Sequence, residues 1–194
     1  MDDTTFHMIL AVAGSLPPSY LGSLNRQFRK EAHQRASMSA APLHARGLSD
    51  LRDKHLQNFE ATLNASNGTS RCLVEPAVAE IVMREIERGD GEGYGLLACT
   101  IMPNHVHILA HPLGRGLRSF GQAVDALKRS TDRKCTLALS RIGCFWDCVS
   151  CIYALRCEDE LERTLWYIAC NPVMAGLAKT WQSWPWTYVG PGLI

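Results

Sequence analysis

Two histidines one residue apart, His105 and His107, and a tyrosine four residues before an asparagine, Tyr167 and Asn171, are the side chains best equipped for chemistry. The histidines lie in YGLLACTIMPNHVHIL (94–109), two apolar runs joined by Met102-Pro103-Asn104. Pro and Asn supply turn chemistry between β-formers, so the stretch predicts a β-hairpin. Strand side chains alternate, which sends His105 and His107 to one face and Val106 and Ile108 to the other. Two imidazoles on one face are a pair of metal ligands; on spacing alone they equally fit the wet face of a half-buried sheet. Tyr167 and Asn171 belong to a helix expected over Asp159 to Cys170, where Leu161, Leu165 and Ile168 form the buried stripe. Tyr167 lies about 120° from that stripe at 100° per residue, and Asn171 shares its flank. The spacing equally fits a surface tyrosine and an asparagine that ends the helix before Pro172.

The elements that must position these groups follow from periodicity. Residues 4–13 (TTFHMILAVA) read as a first strand, ended by Gly14 and Pro17-Pro18. A helix is expected from Ser19 to Ala36, a polar loop over 37–49, and a short helix capped by Ser49 and Asp50 through Leu63. EPAVAEIVMREIER (75–88) is amphipathic, with Val78, Ile81, Val82 and Ile86 on one face. The hairpin follows, then a long helix over 116–140, a strand over 146–155 and the tyrosine helix, ended by Pro172 and Gly176. This order predicts an α+β fold. It is a ferredoxin-like βαββαβ antiparallel sheet with helices on one face and the other face open, plus an extra helical insertion and a C-terminal helix.

Composition narrows the class without naming it. The chain has 194 residues, 46% hydrophobic and 20% charged, and fits a single domain over 1–194, with the insertion at about 19–70 and a tail at about 178–194. There is no signal pattern and no apolar run near the roughly 18 residues of a membrane span, so a cytoplasmic protein is expected. The net charge of +1 says nothing for nucleic acid, but Arg115, Arg118, Lys128, Arg129, Arg133, Lys134 and Arg141 face only Asp125 and Asp132 over that stretch. Such a segment can follow a phosphate backbone; a solvated helix face looks the same. Of eight cysteines, Cys144, Cys148, Cys151 and Cys157 cluster in sequence. A zinc-stabilised interaction module is the reading they would support, against Cys148 and Cys151 falling on opposite faces of a strand.

MPNHVHIL, the later GCFW and YIACNPVMAGL together resemble the REP-associated tyrosine transposases, within the single-tyrosine HUH, IS200-like group, over roughly residues 72–188. The resemblance implies that His105 and His107 hold a divalent cation, Mg²⁺ or Mn²⁺, with Asn171 as a third ligand and Tyr167 as the nucleophile. It implies attack on a single-stranded DNA phosphate, a 5′-phosphotyrosine and a free 3′-OH, on a hairpin substrate such as a repetitive extragenic palindrome. Arg115, Arg118, Lys128, Arg129, Arg133 and Lys134 would bind DNA. Trp184-Pro185-Trp186 matches a family tail; packing is expected for Trp146, while Trp186 is open between packing and base stacking.

The resemblance departs where relatives carry a Tyr-Asp-His-like trio followed by Arg-Asp. Here the residues are Ser150-Cys151-Ile152-Tyr153 and then Arg156-Cys157. Loss of groups that support metal ligands weakens affinity or activity about 10–100-fold. Two readings follow, an active strand transferase and a non-catalytic single-stranded nucleic-acid binder of the same fold. A monomer and a homodimer that exchanges tyrosine helices both fit.

Overall fold

The computed structural model describes residues 4–17, 56–65, 71–114 and 116–194, with positions 20, 26, 30 and 54; the side chains of 116–119 and 149 are outside that set. The helix expected over 19–36 and the loop over 37–49 therefore lie almost wholly outside the described residues. The chain divides into two compact units, 1–13 with 70–194, and 14–69. In the second, residues 56–65 are helical, and the Tyr20 and Thr62 hydroxyls donate to the Asn58 carbonyl at 2.7 and 2.9 Å.

The first unit is built on strands β1 (Phe6–Val12), β2 (Tyr94–Ile101), β3 (His105–Pro112), β4 (Trp146–Ala154) and β5 (Thr187–Val189). They form one antiparallel sheet in the order β4-β1-β3-β2-β5, the ferredoxin-like order with a fifth strand at one edge. Three helices join it, α1 (Pro76–Gly89), α2 (Gly116–Ala138) and α3 (Glu158–Met174).

Alternation sorts the strand residues between two cores. Phe6, Met8, Leu10, Val12, Val106, Ile108 and Ala110 meet Val78, Val82 and Ile86 of α1 and Phe120, Val124 and Leu127 of α2. Each of the Val, Leu, Ile, Met and Phe side chains contributes about 1.5–3 kcal/mol by leaving water. Pro76 opens α1, where its missing N–H has no intrahelical partner to lose. Trp146 packs in this core and donates its indole N–H to the Thr131 hydroxyl at 2.7 Å, as expected for packing. A β-bulge between Leu96 and Ala98 adds one residue to β2, so Leu96 and Cys99 reach the same core although three apart.

The second face is not left open as expected. α3 lies across it, packing Leu165 and Ile168 on Ala98 and Leu109, with Leu161 and Tyr167 alongside. α3 also runs past Pro172 instead of ending there. Proline costs one N–H donor, but the last turn is closed by Ala175 N–H to the Asn171 carbonyl at 2.9 Å and Leu177 N–H to the Pro172 carbonyl at 2.8 Å. Gly176, at φ 70°, then takes the left-handed conformation that ends the helix. The tail supplies β5, which sequence periodicity did not suggest. Trp184 donates to the Ile101 carbonyl at 2.9 Å, and Trp186 packs on the first core, which leaves its ring against protein.

Candidate functional site

Register places the chemistry on the α3 face of the sheet. His105 lies opposite Ala11 of β1, and His107 lies between Ile9 of β1 and Thr100 of β2. His7, two residues from Ile9, shares that face and lies opposite Leu109. All three histidines are buried, at 1% exposure or less, so the wet-face alternative for His105 and His107 does not hold.

A chain of polar contacts links them. His105 Nδ1 is 2.7 Å from the Asn104 side-chain oxygen, His105 Nε2 is 3.1 Å from His107 Nε2, and His107 Nδ1 is 3.0 Å from His7 Nε2. From α3, the Asn171 amide nitrogen comes within 3.3 Å of His107 Nε2, and Asn171 is buried rather than ending a helix at the surface. A half-turn of that amide exchanges nitrogen for oxygen. Two imidazole nitrogens, with an amide oxygen that this half-turn would bring beside them, are a donor set that suits a divalent cation such as Mn²⁺, and less strictly Mg²⁺.

Tyr167 enters from the same helix, one turn before Asn171. Its ring meets the edge of His107 at 90° with centroids 5.8 Å apart, and that of His7 at 74° and 6.2 Å. Its hydroxyl is buried and, among the described residues, has no hydrogen-bond partner. A buried hydroxyl without a partner costs roughly 1–3 kcal/mol. Tyr153 of β4 closes the far side, its ring 6.4 Å from that of His7.

His7 and Asn104 were not singled out in the sequence as site residues. From the sequence Asn104 reads only as a turn former. His7 carried a usable signal, its odd-numbered parity with Ile9 and Ala11, but only the β1–β3 register turns that parity into contact with His107.

The basic residues sit elsewhere. α2 packs on the opposite face of the sheet, so Lys128, Arg129, Arg133 and Lys134 do not join the histidines. Lys134 is held by the Glu85 carboxylate of α1, and Lys128 donates to the Asp147 carbonyl and the Ser150 hydroxyl of β4 at 2.8 and 3.2 Å. Arg129 and Arg133 are exposed. Arg115 and the side chain of Arg118 lie outside the described residues. Glu85 is almost wholly buried; burial alone would raise its pKa, but hydrogen bonds from Arg88, Lys134 and Ser130 override this and hold it at about 2.

The cysteines do not converge. Cys144, Cys148 and Cys157 are exposed, Cys151 is buried, and the described residues bring no three of them together as metal ligands. Burial pushes the Cys151 thiol up to about 11, which disfavours the thiolate zinc needs. Cys157 occupies the N-cap of α3 without a side-chain cap. Arg156 N–H instead donates to Glu160 in the first turn at 2.9 Å.

No protein-family model and no curated protein matches the sequence. Among solved structures, the chain resembles a REP-associated tyrosine transposase bound to a REP hairpin, with a TM-score of 0.52 at 13% identity, over 96% of this chain and 77% of that one. A provisionally named transposase of Deinococcus radiodurans R1 aligns with a TM-score of 0.32 at 14% identity, over 84% and 87%. The first likeness is one of fold.

Proposed function

We propose that this chain is a metal-dependent single-stranded DNA endonuclease and strand transferase that works through a 5′-phosphotyrosine on Tyr167. The observation that carries the reading is the buried, unpartnered Tyr167 hydroxyl beside the cluster of His105, His107 and Asn171. The fold shared with a hairpin-bound tyrosine transposase supports it.

In this reading His105 Nε2, His107 Nε2 and the Asn171 amide oxygen hold Mg²⁺ or Mn²⁺. The bound cation supplies Lewis-acid polarisation of the scissile phosphate. Tyr167 attacks phosphorus, the new bond joins its oxygen to the 5′ phosphate, and the P–O3′ bond breaks to leave a 3′-OH. A free phenol has a pKa near 10, so its proton must leave as the bond forms, and the departing 3′ oxygen takes up a proton in turn. The ester is conserved in the tyrosyl link, so another 3′-OH can reverse the step without ATP.

The substrate is single-stranded DNA, as a REP-like hairpin. Arg115, Arg118, Lys128, Arg129, Arg133 and Lys134 are its proposed phosphate contacts. α2 lies behind the sheet, so DNA touching both it and Tyr167 would pass an edge of the sheet, and Lys128 already reaches the edge strand β4. No described helix is long and apolar enough to cross a membrane, and a cytoplasmic site of action is proposed.

The test is incubation with labelled hairpin oligonucleotides, Mg²⁺ or Mn²⁺, and a denaturing gel. A protein-linked DNA that Tyr167→Phe and EDTA both abolish is expected. Binding without cleavage across metals and oligonucleotides would instead establish the non-catalytic binder, to which the changed residues Ser150 to Tyr153 and Cys157 point. Mixing His105→Ala with Tyr167→Phe distinguishes a monomer acting in cis, which stays inactive, from a dimer that exchanges helices, which recovers.

A further inference from the structure

A neutral imidazole carries one proton on one of two nitrogens, and only the other can take a metal. For His105 the choice is made locally. Its Nδ1 faces the Asn104 side-chain oxygen at 2.7 Å, and an amide oxygen only accepts, so the proton sits on Nδ1 and Nε2 is bare. For His107 the choice is made by another strand. Its Nδ1 faces His7 Nε2 at 3.0 Å, the two rings being nearly parallel at 23°.

Two arrangements satisfy this chain. If His7 Nε2 donates, His107 carries its proton on Nε2 and spends it on His105 Nε2, 3.1 Å away, so the pair bonds to itself. If His7 Nε2 accepts, His107 holds its proton on Nδ1, and both Nε2 lone pairs face one point. Only the second can hold a cation.

We infer that His7 is the positioning residue that sets the metal-binding tautomer of His107, by accepting its Nδ1 proton. It does for His107 what Asn104 does for His105, and it is not itself a ligand, since its Nε2 is turned to the far nitrogen of the His107 ring. Such support typically changes metal affinity about 10–100-fold. The inference rests on the reading of His105 and His107 as ligands of a divalent cation.

The experiment is Mn²⁺ titration of the full chain, read by the electron paramagnetic resonance of free Mn²⁺, for wild type, His105→Ala, His7→Gln and His7→Phe. Thermal unfolding is followed in parallel. The glutamine amide oxygen falls near the imidazole Nε2 and accepts the same proton, so His7→Gln binds within about 3-fold of wild type, whereas His7→Phe binds about 10–100-fold more weakly. An affinity unchanged in His105→Ala overturns the ligand reading and this inference with it. A loss in His105→Ala together with wild-type affinity in His7→Phe, or with equal weakening in His7→Gln and His7→Phe, overturns the role of His7 alone. Ring ¹⁵N spectra of the wild type with Mg²⁺ give a readout that does not depend on the variants folding. A proton on His107 Nδ1 is expected, and one on Nε2 overturns the inference.

Discussion

The Tyr167 ring stands perpendicular to the ring of His107, 5.8 Å between centroids, with a buried hydroxyl to which none of the described residues hydrogen-bonds. Removing that oxygen separates stability from chemistry. Tyr167→Phe relieves the burial of an unpartnered hydroxyl and is expected to stabilise the fold by about 1 kcal/mol. For a chain of this size that is roughly 2–4 °C in Tm by thermal denaturation. The same variant loses the covalent DNA product. A lower Tm would show that the hydroxyl is engaged in solution.

Asn171 contributes the amide that approaches His107 from α3. Asn171→Ala is expected to bind Mn²⁺ about 10-fold more weakly. Asn171→Asp keeps an oxygen ligand and adds charge, so it retains Mn²⁺ while losing stability in EDTA. Saturating metal then restores it, by about 2.7 kcal/mol at a hundredfold excess over Kd. Denaturation of the three proteins with and without Mn²⁺ checks both effects.

Glu85 links α1 to α2 and should set the acid limit of the fold. Its pKa falls from 4.5 to about 2, because the hydrogen bonds from Arg88, Lys134 and Ser130 outweigh the opposing effect of burial. A carboxylate depressed on folding stabilises fully above its unfolded pKa, and that contribution fades as pH falls from about 4.5 towards 2. Arg88 and Lys134 are half-exposed, so the screened contribution is about 1–2 kcal/mol. Urea unfolding should place Glu85→Gln below wild type by this amount at pH 6, with the gap largely closed near pH 2.5.

Basic residues on α2 should divide by what they touch. Arg129→Ala and Arg133→Ala are expected to weaken hairpin binding and each lower the salt slope by about 1. Lys134→Ala strips Glu85 of a partner and should cost stability, by about 1 kcal/mol, with less effect on affinity. Binding isotherms at several salt concentrations, paired with unfolding curves, distinguish the two classes.

Much of the fold was legible because it rests on periods of two and 3.6. β1, the hairpin, α1, α2 and β4 fall within a few residues of the expected bounds. Where tertiary contacts decide, local pattern was silent. Three residues pairing with Thr100, Cys99 and Ala98 make β5, and without β2 they have no reason to be a strand. Pro172 reads as a stop until the last turn is seen closing around it. Of the candidate site, the histidine pair and Tyr167 with Asn171 carry regular spacings, whereas His7 depends on a pairing between strands 100 residues apart.

That pairing has a consequence for when the centre comes into being. His7 and His107 are 100 residues apart, and Asn171 lies another 64 beyond. Closing loops of this length is a non-local step, slow compared with hairpin or helix formation. During synthesis at about 5–20 residues per second, β1 leaves the ribosome seconds before β3 exists to pair with it, and α3 emerges later still. Every nascent chain therefore passes through a period with its histidines made and its proposed cation site unmade. Asn171, which completes the proposed centre, follows His107 by 64 residues, so that centre stays incomplete until α3 has emerged.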